Sequence, residues 1–221
     1  MVNEFTQSQA HGFFWDSEIR EVVFNLEPCK NDTKKNDIDH FQNKFNSNEN
    51  VSIKTSKSDG FGGGDILRFY NADFTNKNTI ILIKYSQVSG YKKIREILEI
   101  DYTKELRDYI FGTITLNELE EYVNLIKSIP PGRCSQDVKK NYKSEKIRLQ
   151  KEHGMIISIN PKVDSKSQRR VQCSLSTVET VLESFPSCLI SRTSESVLRG
   201  VRITESIKSE SRKRNKKVSN E

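Results

Sequence analysis

The spacing of apolar residues changes along the chain, and each change predicts an element. Trp15, Ile19, Val22, Val23 and Leu26 fall at i, i+4, i+7, i+8 and i+11, the stripe of an amphipathic helix with Asp16 as its cap. Residues 28–50 are polar, with Asn and Lys throughout. Within them Asp37-Ile38-Asp39 alternates, which predicts strand geometry with both acids on one face. Asn50-Val51-Ser52-Ile53-Lys54-Thr55-Ser56 is short, alternating and β-branched, so Ser52 and Lys54 share one face of a strand. Asp65–Tyr70 is a second apolar run, and Thr79–Tyr85 has the β-branched density of a central buried strand.

Further along, Ile94, Ile97 and Leu98 sit at helical spacing and predict a short helix over residues 92–101, followed by another over 103–111. Thr115-Leu116-Asn117-Glu118 reads as a capping box opening a helix to about Ile129, which Pro130-Pro131-Gly132 ends. Residues 135–152 read as a charged surface helix, Met155–Ile159 as a buried strand, and Ser176–Glu179 as the cap of a helix to Phe185. Strands are expected near 187–192 and 198–206. The sum is an α/β (α+β) fold, a central mixed β-sheet flanked by helices. We expect one domain over residues 1–207 with a loosely held arm at 1–12, a helical insertion at about 92–152, and a basic, disordered tail at 208–221.

Composition narrows the function classes. No stretch of eighteen apolar residues occurs, and Met1–Gln7 lacks a basic region followed by an apolar one, so no membrane span and no secretory signal are expected, and a cytoplasmic protein is. The four cysteines never form Cys-x-x-Cys and only three histidines are present, which argues against structural zinc and for free thiols. The net charge of +6 lies at one end. Residues 161–221 carry thirteen Lys/Arg against seven Asp/Glu, whereas the first 160 residues are balanced. Such a placement suits a polyanionic partner, although residues 208–221 alone hold six basic and two acidic groups and act partly as a solubilising tail.

Three stretches carry candidate chemistry. Ser52 and Lys54 present a hydroxyl and an ammonium together, with Asp37 and Asp39 upstream, and hard cations take oxygen ligands. Ser58-Asp59-Gly60-Phe61-Gly62-Gly63-Gly64-Asp65 allows close backbone approach, either to a phosphate backbone or in a flexible turn. Pro161–Ser174 packs Lys162, Gln168, Arg169, Arg170 and Gln172 into a loop and the strand after it. Arg and Lys donate to guanine O6 and N7, and Gln pairs with adenine. Alternation puts Gln168, Arg170 and Gln172 on one face and Arg169 on the other, so Arg170 is expected at a base edge and Arg169 at a phosphate or an internal carboxylate.

The acid followed by Ser52-x-Lys54 resembles the PD-(D/E)XK nuclease family over roughly residues 12–85. The departure is Ser52 where that family's second acid stands; some of its type II restriction enzymes share a serine there and draw the acid from further along. The resemblance implies a restriction-endonuclease-like fold and a metal-dependent DNA endonuclease of the type II restriction class. Asp39, Ser52, Lys54 and Glu18 would be catalytic, and Asp37, Asp39 and Asp65 (or Asp73) would hold Mg2+. Arg68 would read a base. Lys54 would orient the attacking water and stabilise the phosphate charge. The implied partners are double-stranded DNA, a second copy of the chain to cut both strands, and a separate DNA methyltransferase. The alternatives are a DNA-binding protein without catalysis and a repair or junction nuclease. Glu18 lies off its helix's apolar stripe, which also suits a solvated first-turn acid.

Overall fold

The computed structural model describes residues 10–27, 36–164 and 166–208. Its larger sheet grows from the alternating stretch around Ser52. Strand β1 (Glu49–Ser56) lies parallel to β3 (Lys77–Val88), which pairs antiparallel with β4 (Tyr91–Asp101). Between β1 and β3 come β2 (Phe61–Asp65) and helix α2 (Ile66–Tyr70). The sheet is covered on both faces, which is why β3 is apolar without alternation. One face carries Ile80, Leu82, Leu98 and Ile100; the other carries Val51, Ile53, Ile81, Ile83 and Ile97. The fold is therefore mixed α/β, with a curled mixed sheet between helical layers.

The segment 92–101 corrects the sequence reading: it is strand, not helix. Two features misled the periodicity. Ser89 and Gly90 both have positive φ (46° and 80°) and turn the chain directly back on β3, a two-residue hairpin. A bulge opposite Lys84 and Tyr85 then shifts the register, so that Tyr85 faces Ile94 while Lys84 faces Glu96. Ile94 and Ile97, three apart, thereby reach the same face and imitate a helical stripe. The helical block starts at residue 104.

That block comprises α3 (Lys104–Phe111), α4 (Leu116–Lys127) and α5 (Gln136–Glu152), each opened by a hydroxyl cap from Thr103, Thr115 or Ser135. The capping box at Thr115 and Glu118 forms in full. Strands β5 (Ser158–Val163) and β6 (Arg169–Leu175) join β2 in a second, antiparallel sheet of order β2-β6-β5. Helix α6 (Val178–Ser184) then leads to β7 (Leu189–Thr193), which pairs with β4. The β8 (Val197–Leu198) and β9 (Val201–Arg202) ribbon follows, and β10 (Ser206–Lys208) returns to β4.

At the other end of the chain, α1 (Ala10–Glu18) continues as a π-helical turn, Ile19–Val23. Trp15, Ile19 and Val23 pack on Val51, Ile53 and Ile81. The chain enters this helix before Asp16, so Asp16 is not its cap. The arm at 1–9 and the tail from 209 lie outside the described residues.

Two ion networks lock distant segments to the sheet. Arg199, held at φ 51° in the ribbon, donates Nη1 and Nη2 to Glu49 at 2.9 and 2.8 Å and Nε to Glu99 at 2.7 Å. Lys84 is 1% exposed, and its Nζ meets Glu179 at 2.5 Å, Glu96 at 3.1 Å and Asp59 at 3.8 Å. The Asp59 pair fixes the turn between β1 and the glycine strand β2.

Candidate functional site

Strand β1 is an edge of its sheet, and the segment before it closes that edge. Ile38 forms a single antiparallel bridge with Val51, after which Asp39 starts a 3-10 turn, His40–Gln42. Asp37 and Asp39 therefore do not share a strand face. Asp37 is tied at three of its polar groups: its N–H donates to Val51 O, its carbonyl accepts from Arg20 Nη1, and its Oδ2 accepts the Ile53 N–H at 2.6 Å. The same Oδ2 takes Lys54 Nζ at 3.3 Å, and Nζ also donates to Ile53 O at 3.2 Å. Arg20 is buried in the π-helical turn, so the N-terminal helix positions Asp37 through its backbone.

Register sets Ser52 opposite Ile80 and Lys54 opposite Leu82, on the sheet face that looks toward β2 and α2. A cleft of about 70 Å³ opens there, lined by Ser52, Lys54 and Arg68 together with Asn36, Asn50, Asn78 and Thr79, with Gly63 and Tyr102 on its wall. Glycine is required on that wall. A Cβ at Gly63 would stand 2.5 Å from Cys173 Sγ and 3.3 Å from the Phe69 ring, and Gly64 turns at φ +79°. The glycine stretch is thus a strand pressed on β6 and α2. Arg68 is presented by α2, whose N-terminus Asp65 caps by accepting the Arg68 N–H at 3.0 Å.

Among the described residues no carboxylate lines the cleft itself, although Asp37 Oδ2 stands 3.3 Å from Lys54 Nζ. Its titratable groups beyond Lys54 and Arg68 are held neutral. Burial pushes the Tyr102 hydroxyl well above its usual range, and that hydroxyl donates to Phe69 O at 3.0 Å. Burial likewise pushes the neighbouring Cys173 thiol up to about 12, so it is no nucleophile. Two cations, three amides and three hydroxyls thus surround a small concavity, a donor-rich lining of the kind that suits an anion.

The structure brings Asp37, Ser52, Lys54 and Arg68 together, leaves Asp39 and Asp65 bonded to residues of the cleft's edge, and sends Asp73 and Glu18 elsewhere. Asp39 accepts from Asn36 Nδ2 at 3.2 Å, and Asp73 accepts from Thr75 Oγ1 at 2.7 Å. Asp65 is engaged as a helix cap. Glu18 rides on the helix that covers the opposite sheet face, where its Oε1 accepts from Thr204 N and Oγ1 at 2.9 and 2.5 Å. It is half-buried and paired with Thr204, on the sheet face opposite Lys54. Among the described residues, no three His, Cys, Asp or Glu side chains gather as a metal centre requires. With Asp37 Oδ2 committed to Ile53 and Lys54, the residues present do not fit a protein-built magnesium site.

The basic stretch also divides. Arg169 is internal: Nε donates to Ile129 O at 3.0 Å, and Nη2 donates to Pro130 O and, at 3.0 Å, to Gly132 O. It caps the carbonyls after α4, so its assignment to DNA is overturned; the carboxylate near it, Asp164, stands at 3.9 Å. Lys162 pairs with Arg170 across β5 and β6, and Gln172 with Asn160 and Asp65, all on the outward face of the second sheet. Arg170 is exposed, Lys162 and Gln172 partly so, and Gln168 sits in the turn before β6, held by Asp164 Oδ1 at 2.9 Å.

Sequence reasoning missed Arg20, Asn36, Asn50 and Tyr102. A charged residue beside Ile19 on a helix that buries Trp15, Ile19 and Val23 but leaves Val22 exposed was the one available signal for Arg20. The asparagines carry no local pattern at all.

No protein-family model, no curated protein and no solved structure matches this chain.

Proposed function

We propose that the chain binds nucleic acid, seating one backbone phosphate in the cleft of Ser52, Lys54 and Arg68. The observation that carries the reading is the lining itself: Lys54, Arg68 and several amides and hydroxyls on strands and a helix that hold them in place, with one carboxylate, Asp37, set against Lys54. Phosphate oxygens accept from Lys, Arg, Ser and Asn side chains, and such contacts fix the register of a bound strand. Gly63, on the cleft wall, belongs to the sheet whose outward face bears Lys162 and Arg170. Those two cations, and the basic excess of the sequence after residue 160, supply further charge for a polyanion. The test is fluorescence anisotropy with labelled single-stranded and duplex DNA at low salt. Binding that weakens in Arg68→Ala supports the reading, and no binding by the parent protein rejects it.

A second reading is strand cleavage by a type II restriction-like endonuclease of the PD-(D/E)XK kind, acting as a homodimer on double-stranded DNA beside a separate methyltransferase. The Asp37–Lys54 pair favours it, since an acid beside the lysine of a strand is that family's arrangement. Incubation of plasmid DNA with the protein, with and without added magnesium, decides it. Discrete magnesium-dependent bands establish cleavage, and a band shift without cutting leaves binding alone. No helix among the described residues is long and apolar enough to cross a membrane.

A further inference from the structure

Phe41 is 73% exposed, more than any other large apolar side chain among the described residues. It is not on a loose tip. It is the middle residue of the 3-10 turn His40–Gln42, whose backbone closes on itself through Gln42 N to Asp39 O at 2.8 Å and Asn43 N to His40 O at 3.2 Å. The turn is tied to the cleft from both sides: His40 N–H donates to Asn50 Oδ1 at 2.9 Å, and Asn36 Nδ2 donates to Asp39 Oδ1. Asn36 and Asn50 are themselves cleft-lining residues. Behind the turn, Asn43 is buried, with Nδ2 on Glu49 Oε2 at 2.8 Å. A hydrogen-bonded turn thus holds a phenyl ring in water, next to two residues that bond to the cleft's asparagines, with His40 perpendicular to it at 5.5 Å.

We infer that Phe41 is a stacking platform for a nucleobase, and that the ligand of the cleft is nucleic acid with an unpaired base at that point: a single strand, a gap or a flap. This rests on the cleft reading above. A phosphate seated at Lys54 leaves its flanking base within the neighbourhood of the rim, and every base offers a π-face to an aromatic side chain. An intact duplex keeps its bases stacked inside, so engaging Phe41 would cost the unstacking of a step. A single strand carries much less of that cost. A ring already held in position also loses little conformational entropy on binding.

The test uses the full chain and a 2-aminopurine-labelled oligonucleotide, with Phe41→Ala and Lys54→Ala as variants. The ring is 73% exposed, so Phe41→Ala should keep the parent melting temperature. The expected result is quenching of 2-aminopurine by the parent protein and not by Phe41→Ala, with single-strand affinity about tenfold lower in that variant and duplex affinity unchanged. Lys54→Ala should weaken both DNAs. If Phe41→Ala binds single strands like the parent while Lys54→Ala does not, the inference fails and the cleft reading stands. Loss of self-association in Phe41→Ala by sedimentation, with DNA affinity intact, assigns the ring to a second copy and overturns it. If the parent binds no DNA at all, both fall.

Discussion

Lys54 Nζ and Asp37 Oδ2 stand 3.3 Å apart, and the same oxygen accepts the Ile53 N–H at 2.6 Å. The carboxylate therefore restrains the lysine at the cleft wall and offsets part of its charge. Asp37→Asn keeps an acceptor for Ile53 and removes the offset. It should leave the fold intact and leave DNA affinity unchanged or raised by up to about tenfold, measured by anisotropy at low salt. If strand cleavage occurs, the same variant should abolish it. A variant that binds DNA more weakly than the parent would contradict the assigned role.

Arg20 acts one step further back. Its guanidinium is buried and holds the carbonyl of Asp37. Arg20→Ala should cost about 1–3 kcal/mol of stability, since it leaves a partly buried carbonyl unpaired. It should also weaken DNA binding more than an equally destabilising change at Leu149, a buried residue of α5 that lines no part of the cleft. Urea titrations of both variants, paired with anisotropy, separate the two effects. Equal binding losses at equal stability loss would reduce Arg20 to a structural residue.

Arg169 and Arg170 adjoin in sequence and should behave oppositely. Arg169→Ala strips the carbonyls of Ile129, Pro130 and Gly132 of their donor, at a cost of about 2–3 kcal/mol. Arg170→Ala, on an exposed face, should change stability by less than about 0.5 kcal/mol and lower DNA affinity. Thermal melts and anisotropy on the pair check both halves.

Much of this was legible in the sequence, for physical reasons that differ by element. Alternation alone places Ser52 and Lys54 on one face of β1, because side chains on a strand repeat every second residue. The Thr115 capping box is a local bond pattern and forms where the sequence puts it. Strand β4 was hidden because its bulge at Arg95, opposite Lys84 and Tyr85 of β3, converts period two into a spacing of three, and the Ser89-Gly90 turn was the signal that outranked it. Alternation could not separate Asp37 from Asp39, since pairing stops at Ile38. Glu18, Arg20 and Arg169 reach partners 186, 17 and up to 40 residues away, and no local pattern encodes such bonds.

The Glu49–Arg199 pair sets a pH dependence. Burial alone would raise the Glu49 carboxyl, but hydrogen bonds from Arg199, Thr79 and Asn43 and the Arg199 charge outweigh it and hold the group below its ordinary value of 4.5. A depressed folded value means that the stabilisation is complete above the ordinary carboxylate range and is lost as pH falls through the lowered one. Glu49→Gln should melt lower at pH 7 and show a flatter decline toward pH 3 than the parent. A decline as steep as the parent's would show that other carboxylates govern acid unfolding.

The central claim is that the Ser52–Lys54–Arg68 cleft seats a backbone phosphate, and the salt dependence of DNA binding by Lys54→Ala measures it most directly. Affinities of the parent and the variant are taken by anisotropy across a series of salt concentrations. The account predicts weaker binding of all sequences alike and a slope of log K against log salt reduced by about one, the signature of one lost phosphate contact. An unchanged affinity and slope would contradict it and move the nucleic-acid site away from the cleft.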